Sequence, residues 1–490
     1  MKELNSEKGI IKYHSFRGSE RVKKAIDSFN NDIIVYFDPD VDGMVAGYLV
    51  CKYLESIGKS YYWYVNTNRQ HGWSLNLNKV KGKDIIAVDF LIDSKQVYKI
   101  LESGCNLVSM DHHVNGDKYI SMMVGKKFGF VINNQYGFEE EDGRYLSGAG
   151  VVFETLRLIS PVIDTVENRA LVGLTLLSDV CNIENQLAKG YLYDLFTSKY
   201  KGYIKYLIDG VMGEKDYGFG VPRMDRNFVD FTFSPKINSC LRFNKEEMVV
   251  NFFLGKGGLD LEFHKKQKQL VLDLMSVMSV RRFSNLTVCF FKDWEFSSPY
   301  KSDVLSNFVG LVASRYLDGK HSVICYVISK KEDGTPFVLR ASFRGNINGV
   351  DYLEASKNYI HGVGHPSAFG VLDLVPTKQT FELVNEACKN AECGYEHRTI
   401  ITPIANMSIF ANRNGHAYAE HNMYCLSQNR KYVRYVGRGA TLKREGASYR
   451  EYVVDGVSVM CFDLKLDFSN GLIFPILERG FIKYYLQSSG

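Results

Sequence analysis

Two patterns of apolar and polar positions alternate along the first part of this chain. Short unbroken apolar runs, Ile33 to Phe37, Ile85 to Val88 and Leu107 to Met110, are separated by stretches with helical spacing, such as Met44 to Ile57, which ends at Gly58. Short apolar runs bounded by polar breaks read as strands buried on both faces. Strands alternating with helices predict a mostly parallel sheet covered on both sides. A lead-in with a short helix near Val22 to Phe29 precedes this region. Residues 196 to 240, rich in Gly, Tyr and Asp, read as a helical tail plus surface loops. Phe263 to Phe283 then has helical spacing with one apolar stripe through Leu270, Leu274, Val277 and Met278. From Asn285 the runs are strand-like again: Leu286 to Phe291, Ser322 to Ile328 and Phe337 to Ser342, with a helix expected over Val304 to Tyr316. Gln379 to Asn390 reads as a helix. From Arg398 to Gly490 Tyr and Val alternate with Lys and Arg, as in Lys431 to Gly439 and Tyr449 to Val454. Spaced short strands of that kind suit a small barrel, for example an OB-fold, whose aromatic and basic residues either hold nucleic acid or form an ordinary solvated β-domain.

Each early apolar segment delivers a polar group at its C-terminal end. Ile33 to Phe37 stops at Asp38-Pro39, and Asp38, Asp40 and Asp42 follow at alternate positions before Gly43. Ile85 to Val88 ends in Asp89, Leu107 to Met110 in Asp111-His112-His113, and the apolar stretch Leu171 to Ser178 in Asp179. Ligands of open α/β sheets bind beyond the carboxyl ends of the strands, so these strand-end acids are expected to share one site. Three like charges on a short loop repel unless a cation neutralises them, and hard divalent cations take oxygen ligands. Alone, the acidic triplet is as well read as a solvated turn; convergence of four segments favours a metal. Histidine among aspartates points to Mn²⁺, with Mg²⁺ also suited, rather than Ca²⁺. Repeated acids suggest two ions, an arrangement that activates water and stabilises an in-line phosphoryl displacement.

At 490 residues the chain is too long for one core, so two or three domains are expected. Its 45% hydrophobic and 23% charged residues are those of a globular protein. No apolar run reaches the length of a membrane span, and Met1 to Lys8 has no signal-peptide core, so a cytoplasmic protein is expected. The ten cysteines are scattered, several inside apolar runs (Cys51, Cys181, Cys289, Cys325). No Cys-x-x-Cys pair suggests a zinc ribbon or a disulfide framework, and reduced thiols are the simplest account. Net charge is +5. With many acids assigned to one cleft, the rest of the surface is more basic than the total, which suits a polyanionic substrate.

These residues resemble the DHH phosphoesterases, and within them the RecJ-like exonucleases. The run Asp38 to Gly43 is similar to that group's first motif, Asp89 to its second, Asp111-His112-His113 to the motif that names the family, and Asp179 to Asn185 to the fourth. Smaller landmarks fall in the family's order: Asn68 to Gly72, Leu146 to Gly150, Lys236 to Arg242, Phe308 to Arg315, Ala341 to Arg344 and Gly362 to Pro366, the last with Val363 where the family commonly has glycine. The resemblance covers roughly Asp32 to Leu374 and implies an α/β architecture: a parallel-sheet DHH domain over 1–240, a linker helix region over 241–284, a smaller α/β DHH-associated domain over 285–376, then a C-terminal β-rich domain over 377–490.

The resemblance further implies a metal-dependent phosphodiesterase with two Mn²⁺ or Mg²⁺ ions. Asp38, Asp40 and Asp89 would hold one ion, and Asp42, Asp89, His112 and Asp179 the other. Asp111 would orient the histidines. His113 would contact the scissile phosphate or protonate the leaving oxygen. Arg69, on the loop after Tyr61 to Val65, and Ser342, Arg344 and His365 across a cleft would grip substrate phosphate; His365 is expected in a glycine-rich loop, Gly362 to Gly370. The expected substrate is single-stranded nucleic acid, DNA ahead of RNA, cut from the 5′ end, with replication or repair proteins as partners of the C-terminal domain. Two other readings remain: a phosphodiesterase of short RNA or cyclic dinucleotides, and a non-catalytic DHH-like scaffold that binds nucleic acid.

Overall fold

The computed structural model describes residues 18–29, 32–66, 73–113, 120–135, 146–179, 181, 186–198, 201–212, 228–346, 350–365, 367–391, 400–403, 433–436, 440–446, 449–454, 457–461, 471–478 and 481–488. After α1 (Ser19–Ser28) the first sheet is built from β1 (Ile33–Phe37), β2 (Tyr61–Val65), β3 (Asp84–Val88), β4 (Asn106–Asp111), β5 (Ser121–Val124) and β6 (Lys127–Asn133). Their order is β2-β1-β3-β4-β6-β5, parallel except for the edge strand β5. The period-two alternation of a strand divides each apolar run between two cores. Ile33, Val35, Phe37, Ile86, Val88, Val108 and Met110 pack with α2 (Val41–Ser56), α4 (Gly148–Arg157) and α5 (Val166–Ser178). Ile34, Tyr36, Ile85, Ala87 and Leu107 pack with α3 (Ser94–Glu102) on the other face. The chain runs from β1 outward to β2, then crosses back to β3. The order therefore reverses between β1 and β3, and a crevice opens at such a switch point.

Residues 196–240 depart from the expected surface cover. Beyond α6 (Gln186–Thr197), α7 (Gly202–Val211) and α8 (Ser234–Arg242) carry Leu207, Val211 and Ile237 into the first core, joined by Phe233 from the π-helical turn Val229–Phe233, while 213–227 lie outside the described residues. After α9 (Glu246–Phe253), α10 (Glu262–Val277) leads to a second sheet. That helix stops six residues short of the expected Phe283. Met278 turns extended, and β7 (Ser279–Arg282) pairs with β8 (Leu286–Lys292). The gain is tertiary: the β8 edge offers ladder bonds, and the apolar stripe that would have anchored a longer helix ends at Met278.

The expected helix over Val304 to Tyr316 is two, α11 (Ser302–Ser306) and α12 (Val309–Arg315). Asn307 at the break donates to the Arg242 carbonyl at 3.0 Å and to Asn244 Oδ1 at 2.9 Å, and accepts from Arg340 Nη1 at 2.6 Å. The second sheet adds β9 (Ser322–Lys330), β10 (Pro336–Arg344), β11 (His361–His365) and β12 (Ala368–Leu372), in the order β11-β12-β10-β9-β8-β7. The expected glycine-rich loop at Gly362 to Gly370 is thus largely a hairpin. Gly362 fits there because a Cβ would meet Leu353 and Phe369 at 2.4 and 2.6 Å. One face of this sheet packs on α10, α11 and α12, the other on α13 (Tyr352–Ser356) and α14 (Lys378–Asn390). Strands β13 to β19 (Ile400–Pro403, Val433–Val436, Ala440–Glu445, Arg450–Val454, Val457–Cys461, Gly471–Glu478, Phe481–Ser488) form a third sheet, ordered β13-β14-β18-β19-β17-β16-β15. In it Arg450 pairs with Glu445 and Lys443 with Glu451, whereas the side chains of Lys431 to Gly439 lie outside the described residues. No described helix is long and apolar enough to cross a membrane.

Candidate metal centre

The carboxyl ends of β1, β3 and β4 meet at the switch point. Asp38 follows β1, with Oδ1 accepting from Asn66 Nδ2 at 3.1 Å. Asp40 caps α2, accepting from the Gly43 N–H at 2.9 Å. Asp42 lies in the first turn of α2 and reaches the start of α4, where Gly148 and Ala149 donate their N–H groups to its two oxygens at 2.7 and 2.9 Å. Such paired amides at a helix N-terminus favour an anion. Asp89 follows β3 at φ 61°, a left-handed conformation that costs a non-glycine residue about 1–3 kcal/mol and gathers at functional sites. Its carboxylate fits only because residue 148 is glycine: a Cβ there would stand 2.3 Å from Asp89 Oδ1.

His112 is the hub. Its Nε2 lies 3.3 Å from Asp89 Oδ1, 3.6 Å from Asp179 Oδ2 and 3.9 Å from Asp42 Oδ2. Asp179 arrives at the C-cap of α5, so this acid comes from a helix end and not, as expected, from a strand end. The next histidine is held differently, with His113 Nδ1 2.8 Å from Asp111 Oδ1. Burial raises the Asp111 carboxyl, but the His113 and His112 imidazoles outweigh it and hold that group below its usual range. An ionised Asp111 makes Nδ1 the protonated nitrogen of His113. Of the two histidines, His113 is the one in direct hydrogen-bond contact with Asp111, while His112 acts on it through charge. Asn133 Nδ2 donates to the His113 carbonyl at 2.8 Å, and Gln135 Nε2 to the His112 carbonyl at 3.1 Å, fixing the backbone of the pair.

Burial and mutual repulsion govern the acids. Desolvation, then Asp38, Asp179 and Asp42, push Asp40 up to about 7. Desolvation and Asp179 push Asp42 up to about 7 against its amide bonds. Asp89 is raised well above its ordinary value by burial and then by Asp42, Asp40, Asp179 and Asp38. Its Oδ1 is buried and has no hydrogen-bond partner among the described residues. An orphaned carboxylate oxygen amid like charges, beside an imidazole nitrogen, fits a divalent cation. The donor set of carboxylates with one or two histidines suits Mn²⁺ or Mg²⁺. Ligating atoms of Asp89, His112 and His113 lie within 4.8 Å of one another, as do those of His112, Asp179 and Cys181.

The expected phosphate grip is met in part. Arg344, at the end of β10, donates from Nη1 to Ser342 Oγ at 2.8 Å and to the Phe343 carbonyl at 2.6 Å. No carboxylate pairs with it among the described residues, and burial lowers its guanidinium to about 10. A Cβ at Gly310, in α12, would stand 2.5 Å from Arg344 Nη2. His365 ends β11 opposite Ala368, and its side chain lies outside those described. Arg69 and His71, and also Glu184-Asn185, lie outside the described residues.

Several contributors carry no signal of their own in the sequence. Asn66, Asn133, Gln135 and Cys181 are ordinary residue types whose roles come from tertiary position. The Leu146 to Gly150 landmark could have found Gly148 and Ala149, but not their bond to Asp42.

A doubly wound α/β domain with a cluster of carboxylates and imidazoles at its switch point is thus joined to a second α/β unit and a β-rich sheet. Residues 32–177 match the profile of the DHH family, N-terminal domain. The first domain is therefore of the DHH family. No curated protein sequence matches the chain. Among solved structures the chain is similar to RecJ from Thermus thermophilus in complex with Mn²⁺, with a TM-score of 0.66 at 16% identity, covering 99% of this chain and 73% of that one. The same protein in complex with Mg²⁺ gives 0.60 at 15% identity, covering 100% and 72%. Exonuclease RecJ bound to manganese gives 0.53 at 15%, covering 79% and 97%. The fold is RecJ-like, and the ions named in those structures are those this chain's donor set fits.

Proposed function

We propose that this protein is a metal-dependent phosphodiesterase, an exonuclease that removes nucleotides from the 5′ end of single-stranded DNA. The observation that carries the chemistry is the orphaned Asp89 Oδ1 facing His112 Nε2, with Asp42 and Asp179 around the same nitrogen. Asp38, Asp40 and Asp89 would hold one divalent ion, and Asp42, Asp89, His112 and Asp179 a second. Bound there, the ions supply a water of lowered pKa and neutralise charge on phosphoryl oxygens. The amides of Gly148 and Ala149 keep Asp42 aimed while it is ionised. His113, turned by Asp111, offers Nε2 to the scissile phosphate, and in its protonated form donates to the departing oxygen. Arg344, half-buried and with no carboxylate partner among the described residues, provides a guanidinium for a substrate phosphate, with Ser342 positioning it. Arg69 and His365 join that grip by resemblance of their motifs to those of RecJ-like enzymes. A site that binds a terminal phosphate fixes its distance to the scissile bond, so one product size is expected.

The test uses one single strand labelled at 5′ in one sample and at 3′ in another, with Mn²⁺. Early release of the 5′ label as mononucleotide, the 3′ label staying on shortening strands, is the expected result. The reverse polarity, or cleavage only of very short RNA or cyclic dinucleotides, overturns the substrate assignment and leaves a phosphodiesterase. Binding without any cleavage overturns the enzyme reading.

A further inference from the structure

Cys181 lies two residues past Asp179, with Sγ 3.4 Å from Asp179 Oδ2. His112 Nε2 is 3.6 Å from that same oxygen. Tetrahedral Zn²⁺ holds nitrogen and oxygen at about 2.0–2.2 Å and sulfur at about 2.3 Å, which separates its donors by about 3.3–3.6 Å. The S···O and N···O spacings here already match that geometry, and the three ligating atoms lie within 4.8 Å of one another. A second observation points to a cation at the same nitrogen: Asp89, only 2% exposed, has an Oδ1 with no hydrogen-bond partner among the described residues, and that oxygen lies 3.3 Å from His112 Nε2.

We propose that His112, Asp179 and Cys181 form a site for a thiophilic divalent cation of the Zn²⁺ type. It overlaps the hard-ion centre through His112 and Asp179, so that Zn²⁺ excludes the Mn²⁺ or Mg²⁺ used in catalysis. The chemistry follows from the donors. Carboxylates and one imidazole leave Mn²⁺ and Mg²⁺ well served, but a thiolate adds a soft ligand that neither favours, and at nitrogen and sulfur sites Zn²⁺ outranks Mn²⁺. Coordination takes Cys181 as thiolate and releases its proton to solvent. The three protein donors leave one tetrahedral position for water. Cys181 thereby sets which metal the centre prefers. The binding claim stands apart from the nuclease reading; only the inhibition rests on it.

The test is Co²⁺ substitution in the full-length protein, because Co²⁺ takes Zn²⁺ geometry and a cobalt–thiolate bond absorbs in the near ultraviolet. Wild-type protein should develop that absorption, saturating at one ion per chain, and lose it when Zn²⁺ is added. Cys181→Ser and Cys181→Ala should both lack it. Losing even a group that only supports a ligand costs roughly 10- to 100-fold in affinity, so either substitution should weaken Zn²⁺ binding by about 100-fold. Mn²⁺ binding should fall far less. Absence of the band in wild type overturns the proposal, as does its persistence in both variants or an equal loss of Zn²⁺ and Mn²⁺ affinity, the mark of a structural role. Zn²⁺ should suppress Mn²⁺-supported cleavage in wild type and need about 100-fold more in the variants. If no cleavage exists to suppress, the band still decides the binding claim.

Discussion

Gly148 shows how closely single residues fit at this centre. A methyl group there would stand 2.3 Å from Asp89 Oδ1 and 2.6 Å from its Cγ, so the carboxylate would have to move. Gly148→Ala should lower Mn²⁺ affinity by about 10- to 100-fold, even though alanine is the better helix former. Calorimetric Mn²⁺ titration checks this, and unchanged affinity would mean that Asp89 is no ligand. The acids also make stability depend on pH. Folding raises Asp40 and Asp42 to about 7, above an unfolded value near 3.9. A raised carboxyl favours the folded state fully below about pH 4, and that contribution is lost as pH rises through about 7. Without metal, these groups should therefore lower the melting temperature between about pH 5.5 and pH 8, while the upward shift caused by Mn²⁺ should grow, since only ionised carboxylates bind it. A Mn²⁺ shift as large at the acid end as at the alkaline end would contradict this. The acids themselves are legible in the sequence because each follows an apolar segment. What holds them is not: Gly148 meets Asp42 across 106 positions, and Asn66 meets Asp38 across 28. No local pattern encodes such pairings.

At the scale of elements, hydrophobic period is a good guide wherever an element lies inside a core. The strands β1, β3 and β4 fall where their apolar runs do, and the sheet order then brings their ends together. Period misleads where a partner decides. Asp179 caps a helix because Leu171 to Leu177 is buried in the first core as one turn after another of a helix, with no strand paired to it among the described residues. Ser279 to Arg282 becomes a strand because β8 has an edge to pair. Asn307 splits a helical pattern because its side chain ties Arg242 and Asn244 to Arg340. Arg344 depends on α12 in the same way. Arg344→Ala should weaken binding of a single strand and reduce the slope of log affinity against log salt by about 0.7, the share of one phosphate contact. Gly310→Ala, which places a Cβ 2.5 Å from Arg344 Nη2, should weaken binding too while keeping the charge. An unchanged slope in Arg344→Ala would make that residue structural.

Across the whole molecule, the metal centre belongs to the first sheet and the arginine to the second. The segment around Arg242 to Asn244 connects them: Phe243 packs into the second core against Phe263, Tyr300 and Phe308, and Arg242 Nη1 donates to Gln267 Oε1 at 2.9 Å. That division of labour suits a chain whose first domain performs chemistry and whose second selects what is presented to it, on the reading proposed above. The C-terminal sheet is legible as β-rich from its alternating residues, but its strand order is not, because the pairings of β14 with β18 and of β17 with β19 join strands that do not follow each other in the chain. The central claim is that the cluster around His112 and Asp89 cleaves phosphodiester bonds with bound divalent ions. The direct measurement is release of labelled nucleotide from a single strand by wild type and Asp89→Asn, each with Mn²⁺ and with EDTA, at equal Arg344-dependent strand binding. Wild type should release nucleotide with Mn²⁺ and none with EDTA, and Asp89→Asn should bind the strand yet release none in either. Release by wild type that persists in EDTA, or undiminished release by Asp89→Asn, would contradict the account.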